Sequence, residues 1–254
     1  IQKTRIIAHN QQVVRVDEED NSVINKRLED EVYQAVQENI DKFDGIVLSD
    51  YNKGLLTDNL IARIIQLANA NKKIIAVDPK GNDYSKYSGA TIVTPNKKEA
   101  QEACHKDFTS DEELIEEGFK LKEKANLDYL LITRSEEGMS LFNGDGHHHI
   151  PTVAKDVFDV SGAGDTVIGI MTLALVSGLG AVKAAELANV AAGIVVGKPG
   201  TVPIELKELQ DALINAKRMT NPWERKIIST NNIESILEKH RVDEKNIVST
   251  NGVF

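Results

Sequence analysis

Between about residue 23 and residue 133, short runs with no polar face alternate with longer stretches that are apolar every third or fourth position. The short runs are GIVLS (45–49), KIIAV (73–77), ATIVT (90–94) and DYLLIT (128–133). Their β-branched content and two-sided hydrophobicity predict parallel strands covered on both faces. The longer stretches predict helices, one from Thr57 as N-cap to Ala70 and another opening at the capping box Ser110-x-x-Glu113. Strands that alternate with helices in this way predict an α/β fold built on a mainly parallel sheet.

Two segments follow a different rhythm. KTRIIAHNQQVVRVD, near the start, predicts two strands around a His9-Asn10 turn, and GMSLFNGDGHHHIPT (138–152) predicts a hairpin turning at Gly144-Asp145-Gly146. After Gly162 the pattern becomes helical, over roughly 163–177, 181–197 and 205–218, with breaks at Gly178 and at Lys198-Pro199-Gly200. Met219 to Pro222 reads as a linker. A short amphipathic helix at about 231–240 then leads to KNIVSTNGVF, an apolar strand and turn expected to open a second, truncated domain.

Composition narrows the picture. The 254 residues, 41% of them hydrophobic, suffice for a full core. A net charge of −9 argues against a nucleic-acid-binding face, which needs clustered basic residues, but leaves small anionic substrates open. The single cysteine, Cys104, allows no intramolecular disulfide and fits a reducing compartment, so the expected location is the cytoplasm. No apolar run approaches the ~18 residues of a membrane span, and no signal segment opens the chain. Because the first residue is Ile1, the chain is expected to be a piece that lacks its beginning.

The densest chemical signal is DVSGAGDT (159–166), two glycines and a carboxylate in the turn that opens an apolar helix. The backbone N–H groups of Gly162, Ala163 and Gly164 can form an anion cradle at the positive end of that helix. Asp165 would stand beside the bound group as a base for an attacking hydroxyl, which points to phosphoryl transfer from a nucleotide to an alcohol. An ordinary glycine turn is the competing reading of this motif alone.

TPNKKEA (94–100) places Asn96 and Glu99 at i and i+3 after a strand end. This spacing serves either a plain capping box or a pair of oxygen groups holding the water shell of Mg²⁺. Thr133, Ser135 and Gly138 follow the strand 128–133, where open α/β sheets bind ligands, although turn chemistry accounts for them equally well. Lys53 in SDYNKG (49–54) and Lys80 in VDPKG (77–81) are either phosphate contacts or solvated loop lysines. His147, His148 and His149 alternate across a predicted strand and cannot all reach one ion. No GxxxxGK[ST] loop is present.

With DVSGAGDT, TPNKKEA and TRSEEG in this order, the sequence resembles the ribokinase-like sugar kinases over residues 3 to about 200. Within them it is most similar to heptose 7-phosphate kinase domains, through KTRIIAHNQQVVRVD, LSDYNKGLL, VDPKG, LLITRSEEGM and IPTVAKDVFDVSGAGDT. The tail KNIVSTNGVF resembles the entry strand of the nucleotidyltransferase domain fused behind such kinases. The resemblance implies a three-layer αβα sandwich with a small β-lid over residues 1–17, a partial kinase domain over 1–218, a linker over 219–226 and the start of a nucleotidyltransferase domain over 227–254.

It further implies that Asp165 is the catalytic base, that Gly162 to Asp165 stabilise the transferring phosphoryl group, and that Asn96, Lys97, Lys98 and Glu99 lie near ATP and Mg²⁺, with Glu99 acting on the metal through water. Thr133, Ser135, Gly138 and Asn189 fall on the nucleotide side, and Asn10, Gln11, Arg15 and Lys53 on the sugar-phosphate side. ATP, Mg²⁺ and a monovalent cation are the implied cofactors, and a homodimer through the lid the implied assembly. Two family features are missing from this sequence, a leading region with a Gly-Gly-Asn sugar site and the paired-histidine signature of the nucleotidyltransferase. The competing expectations are a kinase of another sugar and a non-catalytic nucleotide-binding or dimerisation piece.

Overall fold

The structure, a computed structural model, describes residues 2–8, 11–154 and 157–220. It opens with an antiparallel hairpin, β1 (Gln2–Ala8) and β2 (Gln11–Glu18), as the alternating start predicts. Ile6, Val13, Val14 and Val16 of this hairpin are exposed. The sheet that follows contains β3 (Gly45–Ser49), β4 (Ile74–Asp78), β5 (Ile92–Val93), β6 (Tyr129–Thr133), β7 (Met139–Asn143) and β8 (Gly146–Ile150), side by side in sequence order. Pairing is parallel from β3 to β6 and antiparallel from β6 to β8.

The all-apolar runs are explained by what lies on each face. In β4, Ile75 and Val77 point into one apolar cluster and Ala76 into another; in β6, Leu130 and Ile132 point one way and Leu131 the other. The first cluster is closed by α2 (Asp58–Ala70), α3 (Lys97–Cys104) and α4 (Asp111–Lys124), and α1 (Lys26–Asn39) packs on α2. The second is closed by α5 (Ala163–Val176) and α6 (Ala181–Val196). Layers of helix, sheet and helix result; the middle residues of β4 and β6 and both residues of β5 are removed from water, whereas β3, at the end of the sheet, buries only Leu48 and falls short of the two-sided cover predicted for it.

Several local expectations are met and several corrected. Thr57 caps α2, its side chain accepting from the Leu60 N–H at 3.0 Å. Ser110 caps α4, but the Glu113 carboxylate turns to the N–H and hydroxyl of Thr109, at 2.8 and 2.7 Å, so the predicted reciprocal box is only half made. Two donors on one residue outbid a single backbone N–H. The predicted strand 90–94 shortens to Ile92–Val93, because Pro95 has no N–H and Ala90 is held in a turn by the Tyr87 carbonyl.

The chain divides into two compact units, Ile1–Ile204 and Glu205–Phe254, a boundary earlier than the expected domain end at residue 218. The second unit begins with α7 (Leu206–Thr220), so Met219 and Thr220, placed in a linker by the sequence reading, are helical. The segment 227–254, expected to open a nucleotidyltransferase domain, lies outside the described residues.

Candidate functional site

The site forms where the carboxyl ends of β4, β5 and β6 meet the first turn of α5. Asn96 and Thr133 bridge in parallel, and the Thr133 N–H donates to the Pro95 carbonyl at 2.9 Å, so the two predicted strand-end motifs are direct neighbours. α5 packs across β3 and β4, which brings its N-terminus to the same edge.

Gly162 is the N-cap of α5 with φ +80°, a left-handed conformation that a side chain would resist. The cradle is narrower than expected: Ala163 spends its N–H on the Val160 carbonyl at 3.2 Å, closing the turn. Among the described residues the N–H groups of Gly164 and Asp165 have no protein acceptor, and these remain for an anion at the helix terminus. Asp165 is exposed, and its carboxylate makes no hydrogen bond or ion pair with the described residues. Nearby, Asp159 accepts from the Ser161 N–H at 2.8 Å and steadies the loop before the cap.

Behind the cradle lies a cavity of about 280 Å³. Thr133, Ser135, Gly138, Gly164 and Asn189 all line it, with Met139, Val157 and Val167 among its apolar walls. Its size is at the lower end for small-molecule pockets, and flat apolar walls with few polar groups suit a heterocyclic base. Ser135 has φ +51° at the start of a 3₁₀ turn, and Gly138 has φ +83° at its end. A Cβ on Gly138 would collide with the backbone of Ile150, Pro151 and Thr152, so glycine is required there by space as well as by angle.

Asn189 is buried, and its amide donates to the Pro151 carbonyl at 2.7 Å. It therefore lines the cavity while fixing the segment after β8. Arg134, which the sequence reading passed over, is buried beneath the 3₁₀ turn and reaches Asp111 at 2.5 Å, Ser140 at 3.2 Å and Glu137 at 3.2 Å. It pins the turn that carries Ser135.

Asn96 and Glu99 form a complete capping box: the Asn96 side chain accepts from the Glu99 N–H at 2.9 Å, and Glu99 accepts from the Asn96 N–H at 3.1 Å. The other Glu99 oxygen pairs with Lys80 at 2.9 Å. The capping reading of TPNKKEA is thus complete, and the remaining Glu99 oxygen is held by Lys80. Lys97 bridges to Glu137 at 3.0 Å and so reaches the 3₁₀ turn that carries Ser135. Lys98, grouped with it in the sequence reading, does not: it is 85% exposed and lines a separate polar depression with Gly81 and His105. Adjacent helix positions do not share a face.

Asp78, at the end of β4, is the most perturbed group here and was not among the expected residues. Burial, followed by the Glu99 and Asp165 carboxylates, pushes it up to about 6, with Asp50 adding and Lys80 opposing. Carboxylates from three other segments thus act on Asp78, and of the nearby charges Lys80 opposes them. Nothing in VDPKG itself signals this, because the effect depends on what other segments bring alongside.

Of the residues expected near the sugar phosphate, Lys53 ion-pairs with Glu19, just beyond β2, which commits its ammonium to tying the hairpin's exit. Asn10 lies outside the described residues; Gln11 and Arg15 lie on β2, their side chains outside the description. In β8, the His147 ring packs on Phe142 with centroids 5.0 Å apart, and His149 approaches the Glu137 carbonyl at 2.8 Å. No described helix is long and apolar enough to cross a membrane.

A family model described as pfkB family carbohydrate kinase matches residues 2–207. The chain is 46% identical over 253 residues to the bifunctional protein HldE of Geobacter metallireducens, covering 99% of this chain and 51% of that protein. It is 44% identical to HldE of Helicobacter hepaticus, again over 99% of this chain and 52% of that protein. The chain therefore spans about half the length of these curated relatives. Among solved structures, phosphofructokinase-2 of Escherichia coli in complex with potassium superposes with a TM-score of 0.66 at 15% identity, over 77% of this chain and 64% of that one. Ribokinase of Arabidopsis thaliana, complexed with ribose and ATP, gives 0.61 at 17% identity, over 76% and 60%. At such identities these two matches establish a shared ribokinase-like fold.

Proposed function

The chain belongs to the pfkB family of carbohydrate kinases, and from that premise we propose that it carries the site that transfers the γ-phosphoryl group of ATP to the anomeric hydroxyl of D-glycero-D-manno-heptose 7-phosphate. The product is the 1,7-bisphosphate, a precursor for ADP-heptose and the lipopolysaccharide core. The observation that carries the reading is the convergence of Thr133, Ser135, Gly138 and Asn189 on one cavity whose wall includes Gly164, next to the unpaired Asp165. The heptose assignment draws its support from the resemblance of the motifs and from identity to HldE proteins along 99% of the chain.

In this mechanism the base of ATP occupies the cavity, and its phosphates run toward the N-terminus of α5. The Asp165 carboxylate takes the proton of the sugar hydroxyl as its oxygen bonds to the γ-phosphorus; the bond to the β-phosphate oxygen breaks, and ADP leaves. The N–H groups of Gly164 and Asp165 meet charge gathering on the moving group, at a helix end already oriented for it. Lys97, held beside the 3₁₀ turn, adds positive charge at the nucleotide side.

Burial first, and the Glu99 and Asp165 carboxylates second, raise Asp78, and a divalent cation would relieve the repulsion among the three. Mg²⁺ would be held by Asp78 and Glu99, largely through water, and would neutralise charge on the donor phosphates. The described residues contain no cluster of three or more His, Cys, Asp or Glu side chains able to hold a metal. A cation shared between phosphates, water and one or two carboxylates needs none. A monovalent cation belongs to the same reading.

The apolar exposed hairpin supports pairing of two subunits, since a lone two-stranded ribbon is marginally stable in water and Ile6, Val13, Val14 and Val16 lack cover. The match to HldE proteins continues past residue 207, where the kinase model ends, and supports reading 227–254 as the start of a nucleotidyltransferase domain. The test of the main reading is ³¹P NMR of the intact enzyme with Mg-ATP and heptose 7-phosphate, beside Asp165→Asn. A new anomeric phosphate resonance is expected, absent in the variant. Transfer only to another sugar in an acceptor panel would reject the heptose assignment, and normal turnover by the variant would reject the base.

A further inference from the structure

Two buried tyrosines lie three residues apart before β5. Tyr84 and Tyr87 pack edge to face, centroids 5.7 Å apart, and both rings belong to the same apolar cluster. Their hydroxyls have different fates. That of Tyr84 is buried with no hydrogen-bond partner among the described residues, whereas that of Tyr87 donates to Asp50 at 2.6 Å and accepts from the Lys80 N–H at 3.0 Å.

Asp50 is the residue just beyond β3, and its side chain is 1% exposed. It accepts from Lys86 at 2.7 Å and from the Asn52 N–H at 2.7 Å, while its own N–H donates to the Asp78 carbonyl at 2.9 Å. The turn Asp78-Pro79-Lys80 is consequently held at both ends by one residue: Asp50 grips Asp78 through the backbone and Lys80 through the Tyr87 hydroxyl. Pro79 between them has a fixed φ. Beyond the turn, Lys80 pairs with Glu99, which closes the cap of α3.

A buried ion pair is poor evidence of added stability, because well-packed apolar residues in its place are often as stable or more so. A charged pair and a tyrosine hydroxyl gathered under this one turn call for another role. We infer that Tyr87, backed by Asp50 and Lys86, is a positioning residue that sets the direction of the Asp78 and Glu99 carboxylates toward a divalent cation on the nucleotide phosphates. The inference deepens the kinase reading and rests on it. Tyr87 touches neither nucleotide nor sugar; it acts through the turn.

The test uses the intact protein and the substitution Tyr87→Phe, which keeps the ring and removes only the hydroxyl, with Tyr84→Phe as the matched change in the same cluster. Amide hydrogen exchange at Lys80 should quicken in Tyr87→Phe, whose Lys80 N–H loses its acceptor, and stay unchanged in Tyr84→Phe. ADP affinity measured by calorimetry without Mg²⁺ should be the same in all three proteins. With Mg²⁺ it should fall about tenfold in Tyr87→Phe alone, the scale seen when a group supporting a metal ligand is lost. kcat should fall with it while the sugar KM holds. If Mg²⁺-dependent ADP affinity and kcat in Tyr87→Phe stay within about twofold of wild type, or if Tyr84→Phe loses as much, the inference is overturned. A wild-type protein that phosphorylates no sugar would instead defeat the kinase reading, and the exchange and Mg²⁺ measurements would still decide the role of Tyr87.

Discussion

On one side of the cleft, the loop after β6 and the face of α6 are fixed by contact: Gly138 has no space for a Cβ, Arg134 is buried under the turn, and Asn189 is bonded to Pro151. On the opposite side, at the ends of β3 and β4 and the start of α3, position is fixed by charge. Glu99 and Asp50 both act on Asp78, and among the described residues Lys80 pairs with Glu99 and Lys86 with Asp50. The first side is complete without a ligand, as close-packed interiors are. The second carries an excess of negative charge that a bound cation would relieve. The cleft thus sets a side fixed by packing against a side left with uncompensated charge, and on the proposed kinase reading these would receive the base and the metal respectively.

Breaking this comparison begins with the residue between the two sides. Asp165→Asn should lower kcat about a thousandfold, in the range for loss of a general base, and leave Mg-ADP affinity within about twofold. Steady-state kinetics and calorimetry on the intact enzyme check both.

A pair of glycine substitutions then separates packing from ligand approach. Gly138→Ala forces a side chain into the backbone at 150–152 at φ +83°, and should cost about 2–4 kcal/mol in urea unfolding and abolish nucleotide binding. Gly164→Ala meets nothing within 4 Å and sits in a helix, so the unliganded protein should gain up to about 1 kcal/mol. Nucleotide affinity should still fall, because the new methyl stands where a phosphate approaches. Equal stability losses in the two variants would show that the cradle is a packing feature.

The acidic side predicts a pH dependence. Asp78 is raised to about 6 in the folded chain against 3.8 for the ordinary group, so the folded state holds its proton over that interval. This contribution to stability is complete below 3.8 and is lost as pH rises through 6. Asp78→Asn should accordingly stabilise the metal-free protein by about 1–2 kcal/mol at pH 8, after allowing for solvent screening, with the gain disappearing near pH 4. In wild type, Mg²⁺ affinity should rise across pH 6 as the carboxyl loses its proton. A flat profile would remove Asp78 from the cation site. The smallest effect belongs to the lysine pair: Lys97→Ala should weaken Mg-ATP binding about threefold, an exposed ion pair's worth, and Lys98→Ala should leave it unchanged.

Much of the fold was legible because two-sided burial leaves a plain trace. KIIAV and DYLLIT read as strands from their lack of a polar face, whereas the equally apolar GIVLS is an edge strand with only Leu48 buried; Thr57 read as a cap from the apolar spacing behind it. The neighbourhood of Asn96 and Thr133 followed from the rule that ligands gather at strand ends. What sequence did not reveal depends on partners far along the chain. Arg134 matters through Asp111, 23 residues earlier, and Asp78 through acids on three other segments. The fate of the Ala163 N–H turns on the shape of one tight loop, and the separation of Lys97 from Lys98 on which way a short helix is rotated. Motif matching returns a list of letters, whereas hydrogen bonding divides the letters among different tasks.

The capping box of α3 has a consequence for how this region tolerates insertion and deletion. Asn96 and Glu99 bond reciprocally across two intervening residues, and the same Glu99 holds Lys80. One residue added or removed between them would swing Glu99 about a hundred degrees around the helix, opening the cap and freeing Lys80 in a single event. Length variation among related chains should therefore fall in the loops before Thr94 or after Cys104, and spare the four residues Asn96 to Glu99 as an indivisible unit.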